Sequence, residues 1–560
     1  MKRKKVLSVL LSFMLVISVL LTGCGAKETD GGDKSNNGEI DADQTVNLVG
    51  YDFSSLDPCA VNDMESFTVM SNVYEGLFRE VEKDGKPDVE KAGAEDVKIS
   101  DDGLVYTFKL RDAKWSDDKP VTAHDYEYAW KRLVNPDTAA DYGEFINCVK
   151  GVEAYREGKA KIEDVGIKAV DDKTFEVTLE QPTVYFEKML AFGGLSPQRQ
   201  DIVEKYGKEY GSSIDKTVYN GPFVVSEYAK GSKIVYAKNE KYWDAKNIKL
   251  QKAVGTVLEE PTTIVKMFET KELDMAGASG DDLVRLSKQA ESGEFKHVQG
   301  ALPSVFYYTF NHTNEYLKNP KIRLAISLAY DRQQQIDIIW KRNIPAFGMV
   351  PPVLTVGDDD YRQNIEEPLK KVMADNPDPK KLLAEGLQEL GKDPDPSKIK
   401  LTLLQGKANS TRTAQAQYIQ NQLKKNLGIN IEIKYAVDGP SYFSDRQQGN
   451  FDICTGGWGA DFNDALSFFS IFTSNNPNNE AKYKSAEYDN LIKKLSTETD
   501  QKKRLELFRE TEELLLVKDA VISPYFYQDV NSFEQNYMKG MYIPAFSGYY
   551  ILRDVYVQGK

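Results

Sequence analysis

Residues 451–464 read Phe451-Asp452-Ile453-Cys454-Thr455-Gly456-Gly457-Trp458-Gly459-Ala460-Asp461-Phe462-Asn463-Asp464. A short apolar run that breaks into Gly-Gly-Trp-Gly and then an acid reads as a strand ending in an open loop. Asp461 then stands just past the strand's carboxyl end. Upstream, residues 400–404 read as a strand, 413–427 as a helix with Ala416, Ile419, Leu423 and Leu427 on one face, and 429–435 as another strand. This βαβ pattern predicts parallel strands joined by a right-handed crossover. In such sheets ligands bind in the crevice outside the carboxyl ends of the strands. The glycines allow a ligand backbone to come close, Trp458 offers a flat apolar wall and Asp461 supplies one fixed negative charge. A guest carrying an ammonium group fits that combination. Taken alone, Trp458 also reads as a core residue and Asp461 as an ordinary turn acid.

Residues 457–464 resemble the Gly-Trp-x-Ala-Asp-Tyr-Asn segment of the oligopeptide-binding proteins, extracytoplasmic family 5 solute-binding receptors of peptide ABC importers. Further landmarks of that family are matched along the chain. They include residues 46–50, 56–58 and 72–78, a broad block from Ala94 to Asp125, and Asn220-Gly221-Pro222-Phe223. Asn239-Glu240-Lys241-Tyr242-Trp243, Tyr307-Tyr308-Thr309-Phe310-Asn311 and Ala329-Tyr330-Asp331-Arg332 complete the set. Several also read directly from the residues. Tyr106, Phe108 and Leu110 alternate with Thr107 and Lys109 as a half-buried strand, and residues 174–180 alternate likewise. Asn319-Pro320 opens a helix whose Ile322, Ala325, Ile326, Ala329, Gln333, Ile336 and Ile339 keep to one face.

The resemblance implies an α/β, bilobed, periplasmic-binding-protein-like (type II) fold with an extra third domain. Lobe I is discontinuous, built from residues 45–74, 194–301 and 526–560. The extra domain II takes 75–193 and lobe III 302–525, with linking strands that bend near Leu302 and Tyr525. It implies a receptor that binds oligopeptides outside the cell and delivers them to the permease of an ABC importer. Carried over by position, Asp461 takes the peptide ammonium, and Gly457 and Trp458 line the first residues. Asn62, Asp63 and Met64 pair with the peptide backbone, and Arg446 and Tyr525 stand in the cleft. Thr455 replaces an arginine that some members use for the peptide carboxylate, Gly459 replaces a larger residue, and no histidine stands near Ser410 and Thr411. A peptide-signal (pheromone) receptor is the alternative within the same fold.

The chain has 560 residues, 41% hydrophobic and 28% charged, with a formal net charge of −14. Such an acidic body repels phosphate backbones, which argues against a nucleic-acid partner. Residues 1–23 read as an export leader, with Lys2, Arg3, Lys4 and Lys5 ahead of an apolar run. Leu21-Thr22-Gly23-Cys24 resembles the bacterial lipoprotein cleavage box, which implies a diacylglyceryl anchor on Cys24 at the outer face of the cytoplasmic membrane. Residues 24–44 are polar and read as a flexible tether, about 25 Å in mean span. The three remaining cysteines, Cys59, Cys148 and Cys454, form no Cys-x-x-Cys pair and read as free thiols.

No catalytic constellation emerges. The three histidines form no metal motif, and Gly277-Ala278-Ser279-Gly280 lacks the spacing of a nucleophile elbow. Gly151 to Lys159 lacks that of a phosphate loop. Residues 357–360 lack calcium-loop spacing and read as a solvated loop within the Asp-, Pro- and Lys-rich 355–398 segment. No metal, no cofactor and no enzymatic activity are predicted, and the body is expected to be a monomer. The surviving enzyme alternative is a carboxylate hydrolase using Asp461 with Asp464.

Overall fold

The computed structural model describes residues 40–560 other than Asp84, Asp358 and Asn376. The leader, Cys24 and most of the expected tether therefore lie outside the described residues. The end of that tether belongs to the folded body. Asp41 N donates to Val557 O at 3.0 Å, and the buried Gln44 side chain donates to the same oxygen at 2.8 Å. These bonds tie the entering chain to the carboxyl-terminal strand before Thr45.

The strand Lys400–Gln405 pairs in parallel with Asn430–Tyr435 along its whole length, with the helix Ser410–Leu427 between them in sequence. The helix starts at Ser410 rather than Thr413 because Asn409 caps it, accepting from Arg412 N at 2.8 Å. Ala416, Ile419, Leu423 and Leu427 are buried, as their spacing predicts.

The strand Ile453–Gly459 meets Lys400–Gln405 in parallel only at Leu403↔Ile453 and Leu404↔Cys454. On its other side it pairs antiparallel with Lys296–Phe310, from Phe310↔Ile453 to Ser304↔Gly459. It therefore runs straight through Gly456-Gly457-Trp458-Gly459, where the glycines predict an open loop. The partner strand explains this. A Cβ on Gly457 would sit 2.8 Å from the Phe306 ring, so glycine here admits a large neighbour instead of breaking the strand.

Two long strands, Lys296–Phe310 and Ile522–Glu534, pair from Lys296↔Glu534 to Thr309↔Ile522. At about 3.4 Å per residue they span roughly 45 to 50 Å, long enough to join separate cores. One end packs with Val265, Phe268, Leu286 and Phe295. The other end carries two cores, one around Met349, Phe469 and Phe508 and one around Ile322, Leu401 and Leu423. The pairing slips between Ala301 and Val305 and again between Phe306 and Tyr307. Leu302 lies in the first slip, and Tyr525 is the residue skipped at the second, opposite the step from Phe526 to Pro524.

The remaining body holds two four-stranded sheets over one shared core. In the first, Thr45–Gly50 runs parallel to Lys252–Val257, followed by Lys233–Lys238 and Phe223–Ala229. The second is antiparallel, in the order Ala94–Ile99, Val105–Leu110, Thr174–Thr178 and Ile167–Asp171. Tyr106, Phe108 and Leu110 are buried as their alternation predicts. Phe175 lies 6.2 Å from Phe108, and Trp130 of the helix Ala123–Val134 meets Phe175 edge-on at 5.2 Å.

One further expectation fails. The single helix after Pro320 is two helices, Pro320–Leu328 and Arg332–Ile339. Asp331 caps the second by accepting from Gln334 N at 2.9 Å, which breaks a continuous apolar period and leaves Gln333 exposed. The 355–398 segment carries the helices Tyr361–Asn364, Pro368–Ala374 and Pro379–Glu389. Two of them start on proline, where the missing amide costs nothing. Within it, Thr355–Val356 and Asp359–Asp360 pair as a short hairpin.

Candidate functional site

Asp461 stands two residues beyond the strand Ile453–Gly459, and the next three residues are firmly held. Phe462 stacks on Tyr185 at 5.3 Å. Asn463 donates to Pro87 O at 2.8 Å and accepts from Thr355 N at 3.0 Å. Asp464 receives Arg504 at 2.6 and 2.8 Å, both side chains almost fully buried. A bidentate buried pair of this kind fixes a loop. It also removes Asp464 from the hydrolase alternative, since its charge is already matched and it is closed to solvent.

The loop presents Asp461 to a cavity of about 650 Å³, within the range typical of small-ligand sites. Its floor is the slipped stretch of the two long strands, Leu302 to Ser304 and Gln528 to Ser532. Asn62, Met64 and Phe67 close one side, and Tyr142 and Phe192 stand beside Asp461. The segment from Ile543 to Tyr549 forms a further wall. Phe67, Tyr142 and Phe192 pack against one another at 4.7 to 6.1 Å between ring centres. Glu80 pins the far wall: its buried carboxylate accepts from Tyr542 Oη, Phe546 N and Ser547 Oγ at 2.9, 3.1 and 2.7 Å.

Asp461 is half-buried and lines the cavity. Its amide donates to Ser467 Oγ at 3.2 Å, and Tyr142 Oη donates to Oδ1 over a long 3.4 Å. Among the described residues no lysine, arginine or histidine pairs with it. Burial raises its pKa from 3.8 to about 6, opposed only in part by the bonds from Tyr142 and Ser467. Ionised, this carboxylate is under-solvated and lacks a counter-charge. A ligand ammonium would supply one.

Beyond Cys454 the side of the strand Ile453–Gly459 away from the long strands has no ladder partner among the described residues. An extended chain could add there by main-chain hydrogen bonds.

The sequence-derived site divides in two. Asn62, Met64 and Asp461 line the cavity. Asp63 sits beside it as the cap of the helix Met64–Val73, accepting from Ser66 N at 2.7 Å. Gly457, Trp458, Arg446 and Tyr525 do not line it. Gly457 and Trp458 pair with Phe306 and Val305, and the indole packs on the core while its Nε1 is buried without a partner among the described residues. Arg446, read as a cleft arginine, spends its charge on Glu480 at 2.6 and 2.9 Å. Tyr525 is buried between Tyr308 and Trp340, 4.8 and 6.0 Å away. Sequence reading missed Tyr142, Phe192, Arg342, Asp529 and the wall at 543–549. Only the density of aromatics around residues 142–145 could have pointed to any of them.

No helix among the described residues is long and apolar enough to cross a membrane, and Cys59, Cys148 and Cys454 are free thiols.

Residues 88–480 match the family described as Bacterial extracellular solute-binding proteins, family 5 Middle. The oligopeptide-binding protein OppA of Bacillus subtilis (strain 168) is 33% identical over 559 residues, covering 98% of each chain. Among solved structures, Listeria monocytogenes OppA bound to peptide is 31% identical, with a TM-score of 0.76 over 93% of this chain and all of that one. The pheromone receptor PrgZ, solved for its structure and mode of peptide binding, is 27% identical. Its TM-score is 0.77 over 92% of this chain and all of that one.

Proposed function

The chain belongs to the bacterial extracellular solute-binding proteins of family 5, and we propose that it captures oligopeptides outside the cell and hands them to an ABC importer. The observation that carries this reading is Asp461: a half-buried carboxylate without a counter-charge among the described residues, facing a ligand-sized cavity just past a strand edge that has no ladder partner beyond Cys454. A peptide matches both features. Its ammonium neutralises Asp461, and its backbone donors and acceptors extend the sheet whatever the side chains are. Asn62 and Met64 stand in the cavity wall, whereas a role for Gly457 and Trp458 at the first residues rests on the family resemblance alone. The molecule closes over the peptide by bending the long strands at Leu302 and Tyr525, bringing lobe III against lobe I and domain II. Binding without turnover is the reading we favour, since Asp464, the partner a hydrolase would need, is committed to Arg504, and Asp529 is paired with Arg342.

Incubation of the purified protein with a labelled peptide mixture, followed by native mass spectrometry, tests this. Intact peptides should co-purify in a one-to-one complex, and a molar excess of cleaved fragments would support a hydrolase instead. The similarity to a pheromone receptor favours a second reading, in which the bound peptide is a signal. Loss of growth on peptides in a deletion strain supports import. Loss of a density-dependent response alone supports signalling.

The finer assignments rest on the sequence. Cys24 carries a diacylglyceryl anchor, residues up to about 40 tether the body to the outer face of the membrane, and the body acts as a monomer. Fatty-acid labelling that persists in Cys24→Ser would refute the anchor.

A further inference from the structure

Three charged side chains line the cavity among the described residues: Asp461, Asp529 and Arg342. Two of them cancel. Arg342 Nε lies 2.9 Å from Asp529 Oδ1, and its Nη2 donates to the Asp529 carbonyl at 2.6 Å. The other carboxylate oxygen of Asp529 accepts from Asn531 Nδ2 at 2.6 Å. Asn531 Oδ1 in turn takes Gln299 Nε2 at 3.3 Å and lies 3.0 Å from His297 Nε2. The pair is thus built into both long strands.

Nor does Arg342 hang on a free arm. Its neighbours Lys341 and Asn343 hold φ of 55° and 83°, conformations that non-glycine residues rarely adopt, and Lys341 is itself bonded to Asp281 at 2.6 Å. Swinging the guanidinium to a ligand would strip Asp529 of its one cation among the described residues.

What remains is a single net negative charge, that of Asp461. A ligand's ammonium is matched there. A ligand carboxylate held inside would find no uncommitted cation among the lining residues and would feel Asp461 as a like charge, and a charge enclosed without a partner is strongly disfavoured. We propose that the cavity reads only the amino end of its ligand and selects amines whose other end is neutral or lies in solvent: peptide amides, and peptides long enough to carry their carboxylate out. This rests on the peptide reading of Asp461 and narrows it. A dipeptide, small against about 650 Å³, is the disfavoured case because its carboxylate must come inside.

Isothermal titration at low salt with four ligands tests the proposal: a dipeptide and an octapeptide, each as free acid and as carboxamide. Amidation should tighten the dipeptide by about tenfold or more and leave the octapeptide within about threefold. Asp529→Asn leaves Arg342 charged and unpaired, and should erase the dipeptide's preference for the amide. A wild-type protein that binds the dipeptide acid as tightly as its amide, or more tightly, overturns the proposal, and this comparison decides even if the variant does not fold. Failure of all four ligands to bind would instead bring down the peptide reading itself, and this inference with it.

Discussion

Asp461 is a residue kept at a cost. Its carboxyl titrates near 6 in the folded protein against 3.8 as a free side chain. The folded state therefore takes up the proton first, and the resulting stabilisation, complete below about pH 4, is lost as pH rises through 6. Asp461→Asn should accordingly stabilise the ligand-free protein by about 1 to 3 kcal/mol at pH 8, with the gain gone by pH 4. Calorimetric melting at the two pH values measures this. Ligand affinity has the opposite dependence. Only the ionised form pairs with an ammonium, so affinity for a free-amine peptide should fall by about tenfold per pH unit below 6. A profile flat from pH 8 to pH 5 would separate Asp461 from the ligand.

At the scale of elements, the sequence was most legible where one period governed a whole segment. The alternation of residues 105–110 and the apolar face from Ala416 to Leu427 both appear as read. It was misleading where a local signal met a tertiary partner. The glycines of 456–459 look like a breaker, yet Phe306 fills the space they leave and the strand continues. The apolar period after Pro320 is unbroken, yet Asp331 caps a second helix inside it. The site was half legible for a related reason. Asp461 belongs to a local motif, whereas Tyr142, Phe192 and Arg342 reach the cavity from distant parts of the chain, and the wall at 543–549 is positioned by Glu80, more than 400 residues away. Trp458, the most conspicuous side chain of the opening stretch, went to the core. The loop's rigidity is testable through Asp464. Asp464→Asn leaves Arg504 charged and buried, and should cost about 3 to 5 kcal/mol in urea denaturation, with peptide affinity lowered as the loop loosens.

Across the whole molecule, two strands of 15 and 13 residues connect the cores, and both slip at the cavity floor. Slipped pairing gives up ladder hydrogen bonds and bends a strand locally, so the ladder is interrupted beneath the ligand space. Asp461 faces groups from the 45–301 half, Tyr142 above all, and the closure proposed above would couple neutralising its charge to bringing the two halves together. Small-angle scattering should show the radius of gyration falling when a free-amine peptide is added, and staying unchanged with the N-acetylated form at the same concentration. Equal compaction by both would mean that closure does not depend on the amino end.

The most direct test compares one peptide, free and N-acetylated, on the wild-type protein and on Asp461→Asn by isothermal titration. Acetylation should weaken binding to the wild type by about 1.5 to 3 kcal/mol, the worth of a charge-assisted bond, and should change little on the variant. An equal loss on both proteins would show that Asp461 does not hold the ammonium.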